Sequence, residues 1–554
     1  MKKKVFTVII ALVMTAALFA AGGQSGGQTS QGSGADIVTP PGTFPVVSTP
    51  ITLRVFAGGS ASIENFETNE FTRFYEQKTG VKLDWQIAPP NTVAEQRRLS
   101  LASGDLPDFY MGAGFTRADE VLYGSEKVLV PLNTLIDKHG FWIHEMFNDL
   151  PDARSLITTP DGNIYCLPNG QEVVHTMHPH KLFLNMEWMK NLNLQIPATT
   201  EDFFNVMQAF KTGDPNGNGR ADEIPHITDQ PGGGGTNNLF YYFVNSFIQM
   251  DGDGYFVTNA NRVDIAYNKP EFRQALAYLN RLLVNGLLDP SSFTISNAEL
   301  RQLAENPGVQ ILGSTVMLAP SSIYSMTSPR QRNFDAIPPL RGPNGVQIAF
   351  LNPGARVNTG SLAITNKCRY PEAVVRWVDW FFSQEGLMTM RIGREGIEWD
   401  WAPPGTLSIA GVPALWINIG AQGGSTNAFW MQYNVAQYNR HSSQLGVGED
   451  LFYGPEGLNT RIYKYTSESY VPHRPANYLP PMYFEASVLD PIIQPMNDIQ
   501  SYRYQMWVRF VTGDLALNDT NWNNYVNTLN QMGLQRVIDA YQRTYDTFLR
   551  NAGR

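Results

Sequence analysis

The chain has 554 residues, a formal net charge of −9, 16% charged residues and 12% aromatic ones. Without the three lysines near its amino terminus, 38 basic side chains face 50 acidic ones, a balance of −12. So acidic a chain lacks the clustered Lys and Arg that nucleic acid or an anionic lipid surface requires, and its length gives ample core for two or three domains.

Residues 1–21 combine Lys2-Lys3-Lys4, an apolar run from Val5 to Leu18 and the small Ala20 and Ala21, the layout of an export signal. Residues 22–50, rich in Gly, Ser, Gln and then Pro, read as a flexible linker. The cleavage region is Ala21-Gly22-Gly23, and the only cysteines are Cys166 and Cys368, so no lipid anchor is expected. No later stretch approaches eighteen uninterrupted apolar residues, and the mature chain is expected in the periplasm or outside the cell. The two cysteines lie far apart in dissimilar contexts; free thiols are expected rather than a disulfide.

Thr52 to Phe56 reads as a strand ending at Gly58-Gly59. A helical pattern from about Glu64 to Lys78 stops at Gly80, and Val81, Leu83, Trp85 and Ile87 then alternate with polar residues at a strand's period. This strand-helix-strand unit predicts parallel strands and the opening of an α/β domain. A second helix, about Val93 to Ala102, leads to the apolar Asp108-Phe-Tyr-Met111 and the turn Gly112-Ala-Gly114. Loops beyond the carboxyl ends of such strands hold ligands in open α/β sheets, which makes the two glycine turns, 57–60 and 112–114, candidates for a binding floor.

The stretch from Lys211 to Pro225 sets oxygen-bearing side chains at short fixed spacing after a helix that Thr199 and Asp202 cap and Phe203, Val206, Met207 and Phe210 line. Asp214, Asn216 and Asn218 stand at positions 1, 3 and 5 of a calcium loop, Gly219 at the turn, Arg220 with its carbonyl at 7, and Asp222 at 9. Position 12 is Pro225, so Glu223 must close the shell from position 10, and Ile224-Pro225 reads as the start of a strand rather than of a second helix. One structural calcium ion is expected.

Further along, a helix starts at Pro371, well placed for a first helical position, and Val374, Val375, Val378, Phe381 and Phe382 share one face. From 396 to 480 the chain is Gly/Pro-broken and aromatic-rich, with Trp399, Trp401, Trp416, Trp430, Tyr433 and Tyr438. Flat aromatic faces of this kind suit sugar recognition, and filling a core beneath long loops is the competing role of each. His175, His178 and His180 suit a polar cleft lining or, at strand spacing, a transition metal. Glu395, Glu398 and Asp400 imitate a glycosidase pair, but no nucleophile elbow, phosphate loop or zinc-protease motif accompanies them, and no enzymatic activity is expected.

Ser103-Gly-Asp-Leu-Pro-Asp108, Leu129 to Asp137, Asp161-Gly-Asn-Ile-Tyr165 before Leu167-Pro168, Leu182 to Trp188, Asn268 to Phe272, Asn285 to Pro290, Gly393-Arg-Glu-Gly396 and Phe510 to Asp514 follow one another over about residues 50–545. Their order resembles the family 1 extracellular solute-binding proteins of ABC importers, and the subgroup is similar to periplasmic alginate- and oligosaccharide-binding proteins. The resemblance implies two α/β lobes around a ligand cleft with several hinge crossings, membrane permease subunits as partners and a monomeric chain. It also implies Asp214, Asn216, Asn218, Arg220, Asp222 and Glu223 as calcium ligands. The expected first lobe is 51–115 with 356–395, and the second is 116–355 with 396–554. Gly58, Gly59, Tyr110, Gln171, Glu172, His180, Trp399, Trp401 and Trp430 are the expected ligand-binding residues. A carbohydrate, in particular an oligosaccharide, is the expected solute; sensing of a peptide or signal molecule without transport is the alternative.

Overall fold

The structure, a computed structural model, describes residues 37–230, 239–325, 328–420, 426–431, 433, 435–448 and 457–551. The expected export signal and the first part of the expected linker lie outside them.

Strands β1 (Ile51–Gly58), β2 (Val81–Ala88), β3 (Phe109–Met111), β4 (Cys166–Gln171), β10 (Val357–Ile364) and β13 (Gln437–Asn439) form one sheet in the order β13-β4-β10-β3-β1-β2. β1 pairs in parallel with β2 and β3, β13 in parallel with β4, and β10 runs antiparallel between β3 and β4. Edge strand β2 keeps polar Lys82 and Asp84 outward between buried Val81 and Leu83, whereas central β3 and β10 are almost wholly buried, as strands covered on both faces must be. Helix α1 (Glu70–Thr79) starts later than its apolar pattern suggests, because Asn69 caps it by accepting from the Phe71 N–H; Gly80, at φ 76°, ends it. Helix α2 (Val93–Ser103) and helix α3 (Arg117–Ser125), capped by the reciprocal Thr116–Asp119 pair, follow. The helix Pro371–Asp379 buries Val374, Val375, Trp377 and Val378 against this sheet.

A second core is built around β5 (Lys181–Asn185), flanked by β8 (Ser314–Met317) and β9 (Phe334–Ala336) in antiparallel pairs, with the hairpin β6 (Tyr255–Val257) and β7 (Val263–Ile265). The helices Thr200–Thr212, Pro270–Val284, Ile493–Thr512 and Leu534–Asn551 pack on it. Two short strands, β11 (Trp399–Trp401) and β12 (Trp416–Asn418), make a separate hairpin.

The division between lobes differs from the expected one. Leu132, Ile136, Ile143, Leu167, Trp430 and Tyr438 all lie in the core of the first sheet, and Tyr123 at the end of α3 and Val128 pack with Tyr110 and Cys166 on its other face, so the packing of the first sheet takes in residues beyond the expected boundaries at 115 and 395. The reason is that β4 is spelled Cys-Leu-Pro-Asn-Gly-Gln and β13 has three residues, so neither carries a readable strand pattern. The latter part of the expected linker, 37–50, is also not free: Val46 and Val47 are buried, Phe44 packs edge-on to Trp380, and Arg376 donates to the carbonyls of Thr39, Pro40 and Thr43. Cys166 and Cys368 are free thiols. Among the described residues no helix is long and apolar enough to cross a membrane.

Candidate functional site

The carboxyl ends of β1, β3, β4 and β13 finish on one edge of the first sheet, where β10 begins. Ala57 is level with Met111, Val357 with Gly170, and Asn439 with Gln171. The chain leaves this edge for the second core after β4, returns into β10 and leaves again after β13. Gln171 ties two of these crossings, its N–H donating to the Arg356 carbonyl at 2.9 Å and its side-chain amide to the Ala355 carbonyl at 2.5 Å. Glu172 is exposed beside them, and its carboxylate accepts from the His441 N–H at 3.3 Å.

The two glycine turns meet at this edge. A Cβ on Gly58 would stand 2.5 Å from the Gly112 carbonyl oxygen, so close approach explains glycine there. Gly59 donates its N–H to Ala88, and the Tyr433 hydroxyl covers the turn by donating to the Gly58 carbonyl at 2.5 Å. Tyr110 is not at the surface: it is wholly buried on the other face of the sheet, its hydroxyl 2.8 Å from that of Ser100.

The three candidate tryptophans separate. Trp430 is 1% exposed among Phe71, Trp377 and Phe381 and donates its indole N–H to Thr72. Trp399 is fully buried, with its indole N–H on the Gly393 carbonyl. Only Trp401 keeps a free face, 41% exposed and edge-on to Trp399 at 5.3 Å. Pattern could not distinguish them, since strand neighbours at i and i+2 share a face but not a depth.

On the second lobe His180 is buried, its ring 4.6 Å from Phe350 and 4.9 Å from Tyr241, which stack on each other. His178 turns instead to the Phe350 carbonyl through Nδ1, and burial holds its pKa down at about 4. The Lys181 ammonium donates to the carbonyls of His175, His178 and Leu318, and burial pulls its pKa to about 7. The histidines therefore organise a crossing segment rather than converge on one point. Three grooves adjoin the crossings. One of about 910 Å³ lies between Asp152, Gln171, Glu172 and Arg356 on one side and Arg474 and Phe548 on the other. One of about 510 Å³ holds His180, Tyr241 and Phe350 with Asp251, Asp253 and Arg117, and a third of about 900 Å³ runs from Thr159 and Asp161 to Thr544 and Thr547. The aromatic pair Tyr241–Phe350 was not foreseen from the sequence, its members lying 109 positions apart with no shared motif.

Among the carboxylates once comparable to a glycosidase pair, Glu398 is held by Arg394 at 2.6 Å, and that bond lowers its pKa. A general acid needs the opposite shift.

The loop 214–223 follows the helix Thr200–Thr212, and Ile224 then bridges Leu312, so strand-like pairing replaces a second helix. Asp214, at φ 44°, accepts from the N–H groups of Asn218 and Gly219; Asn216 and Asn218 accept from Asn218 and Arg220. The amides of Asn216 and Asn218 both donate to Asp222. Glu223 Oε1 is buried without a hydrogen-bond partner, and burial, then Asp222 and Asp214, raise its pKa. Three carboxylates, two amide oxygens and a carbonyl are the donor types a hard divalent cation takes, but among the described residues no three carboxylate, histidine or cysteine side chains are gathered closely enough to hold one.

Residues 57–388 match the family described as Bacterial extracellular solute-binding protein. The fructooligosaccharide ABC transporter substrate-binding protein FusA of Streptococcus pneumoniae serotype 4 (strain ATCC BAA-334 / TIGR4) is 25% identical over 494 residues, 86% of each chain. Its solved complex with kestose superposes with a TM-score of 0.71 at 24% identity, covering 90% of this chain and all of that one; a complex of its EF-hand mutant with fructo-nystose gives 0.72. A solute-binding protein from Bifidobacterium longum infantis ATCC 15697, described as HMO binding and associated with an ABC transporter, gives 0.75 at 19% identity, with 90% and 99% covered. The alginate-binding protein AlgQ2, solved without calcium ion, gives 0.65 at 22% identity, with 90% and 99% covered. The family match spans more than half of the chain, and the architecture is the two-lobe one: this chain belongs to the bacterial extracellular solute-binding proteins.

Proposed function

We propose that the chain is the receptor of an ABC importer for an uncharged oligosaccharide, bound between the lobes and passed to membrane permease subunits. The observation that carries this reading is that β1, β3, β4 and β13 all run their carboxyl ends, at Gly58, Met111, Gln171 and Asn439, toward the same edge of the sheet, the one where the chain crosses between lobes, because open sheets hold ligands beyond their carboxyl ends. FusA, described by its fructooligosaccharide substrate, supports the sugar class across most of the length. Gly59, Glu172 and the exposed face of Trp401 are the proposed contacts, with Gly58 and Gln171 shaping the floor. Tyr110, Trp399 and Trp430 act from the core and leave the list of contacts. Binding without catalysis is the proposed activity, with export and a monomeric, unacylated mature chain.

Calcium is the proposed structural ion, held by Asp214, Asn216, Asn218, the Arg220 carbonyl, Asp222 and Glu223. When bound it neutralises three carboxylates and fixes the turn between the helix Thr200–Thr212 and Ile224. The EF-hand of FusA, named with its mutant, supports this reading.

The test is calorimetric titration with kestose, fructo-nystose, maltotriose and a tripeptide. Saturable binding of a saccharide and none of the peptide is expected, with Trp401→Ala weakening it at least tenfold. Binding of the peptide alone overturns the carbohydrate reading, and release of monosaccharide from a bound saccharide overturns the absence of catalysis.

A further inference from the structure

Outside the strand-end site, one buried polar cluster joins the lobes. Glu120 lies on α3 of the first lobe and is fully buried. Its Oε2 accepts from Thr359 on β10 at 3.1 Å and from the Tyr483 hydroxyl at 2.9 Å. Tyr483 sits between residues of the second lobe: its neighbours Leu479 and Met482 belong to that core, and Phe484 packs against it. Arg117, one turn before Glu120, holds its guanidinium 5.3 Å from the centre of the Tyr483 ring. The phenol is thus gripped from one helix through both its ring and its hydroxyl. The other Glu120 oxygen, Oε1, is buried without a hydrogen-bond partner, and so are Arg117 Nε and Nη2. A carboxylate with one orphaned oxygen is costly to keep charged, whereas a protonated acid or a solvated carboxylate is not.

We propose that Glu120, Thr359 and Tyr483 form a proton-sensitive latch that fastens the second lobe to the first through the Tyr483 hydroxyl. It rests on the two-lobe fold and not on the identity of the solute.

The sign follows from linkage. Burial raises the Glu120 pKa from 4.5 to about 7, against the lowering influence of its bonds to Thr359 and Tyr483, of Arg117 and of Cys166 on β4. Asp119 on α3 and Arg97 on α2, the other charged groups acting on the neighbouring Cys166, pair with each other at 2.8 Å. Burial raises the pKa of both Cys166 and Tyr483, so neither ionises near neutrality. Separation of the lobes admits water and returns Glu120 toward its ordinary pKa. The latched form therefore binds the proton more tightly. It is fully favoured below the ordinary pKa and weakens as pH rises through about 7, by a factor on the order of a hundred.

The experiment uses the ligand-free full chain carrying Cys368→Ser, with spin labels at Gln77→Cys on α1 and Asn523→Cys in the helix Asp519–Gln531, both exposed. Distances between the labels are measured from pH 5 to pH 9. A predominantly short distance at pH 5 is expected, with a longer population growing as pH rises toward 7 and levelling off above it. Glu120→Gln, a neutral isostere, should hold the short distance throughout, and Tyr483→Phe should show the longer population already at pH 5. A wild-type distance independent of pH overturns the proposal, as does an unchanged pH response in Glu120→Gln. The wild-type titration decides alone if that variant does not fold.

Discussion

Trp399 and Trp401 are two residues apart on one strand, yet one lies in a small core with Met388, Trp416 and Leu445 and the other presents a face to solvent. Trp399→Ala and Trp430→Ala each remove a fully enclosed indole and should cost about 3–5 kcal/mol in denaturant unfolding. Trp401→Ala should change stability by about 0.5 kcal/mol or less, so any loss of saccharide binding it causes is a loss of contact. Burial acts on histidine in a second way. It pulls the pKa of His226 to about 3 and that of His178 to about 4, below the unfolded value of 6.5. Both stay neutral when folded but gain a proton when unfolded, so the stability they contribute is present above pH 6.5 and lost as pH falls toward 4. His226→Gln, which can still reach Ser314, should flatten the decline of melting temperature between pH 6.5 and 4.

At the scale of elements, the loop 214–223 shows how a short motif can be legible while its surroundings are not. Carboxylates and amides at alternate positions converge only when glycines release the backbone, and Gly217 and Gly219 stand at φ 69° and 73°. Chelation of the purified protein should lower its melting temperature, and Asp214→Ala should abolish that sensitivity; identical melting with and without chelator would sink the ion. The opening strand-helix-strand unit and the helix at Pro371 were equally plain, because each carries a periodic apolar face. β4 was hidden by its Pro168, Asn169 and Gly170, and with it the extent of the first lobe. The strap 37–50 was hidden for a different reason: its composition is that of a linker, and what binds it is Arg376, whose guanidinium collects three carbonyls from a chain that forms only an isolated bridge. Arg376→Ala should leave the Thr39 and Thr43 carbonyls without their donor, Pro40 keeping its bonds from Thr43, and expose 37–50 to proteolysis, with limited digestion and mass spectrometry as the readout.

For the whole molecule the distribution of charge decides what class of sugar the lobes can hold. The chain is acidic overall, and two of the cations that line the grooves are paired in place, Arg356 with Asp152 at 3.5 Å and Arg154 with Asp137 at 2.9 Å, whereas Arg117 and Arg474 line them without an ion pair to a described residue. An anionic polysaccharide would have to break such pairs or bring its charge into a field already negative, and either cost would appear as a steep dependence on salt. An uncharged oligosaccharide meets neither obstacle and relies on an aromatic face and hydrogen bonds, which salt screens little. The expected result is therefore that the dissociation constant for kestose or fructo-nystose changes by less than about twofold between low and high salt, where the Debye length falls from about 30 to 3 Å. Scattering on the same samples should show a smaller radius of gyration with saccharide, since enclosure between lobes needs hinge closure. Tight binding of polygalacturonate that weakens sharply with salt would assign the chain to acidic polysaccharides, and compaction without that salt dependence would hold it to neutral ones.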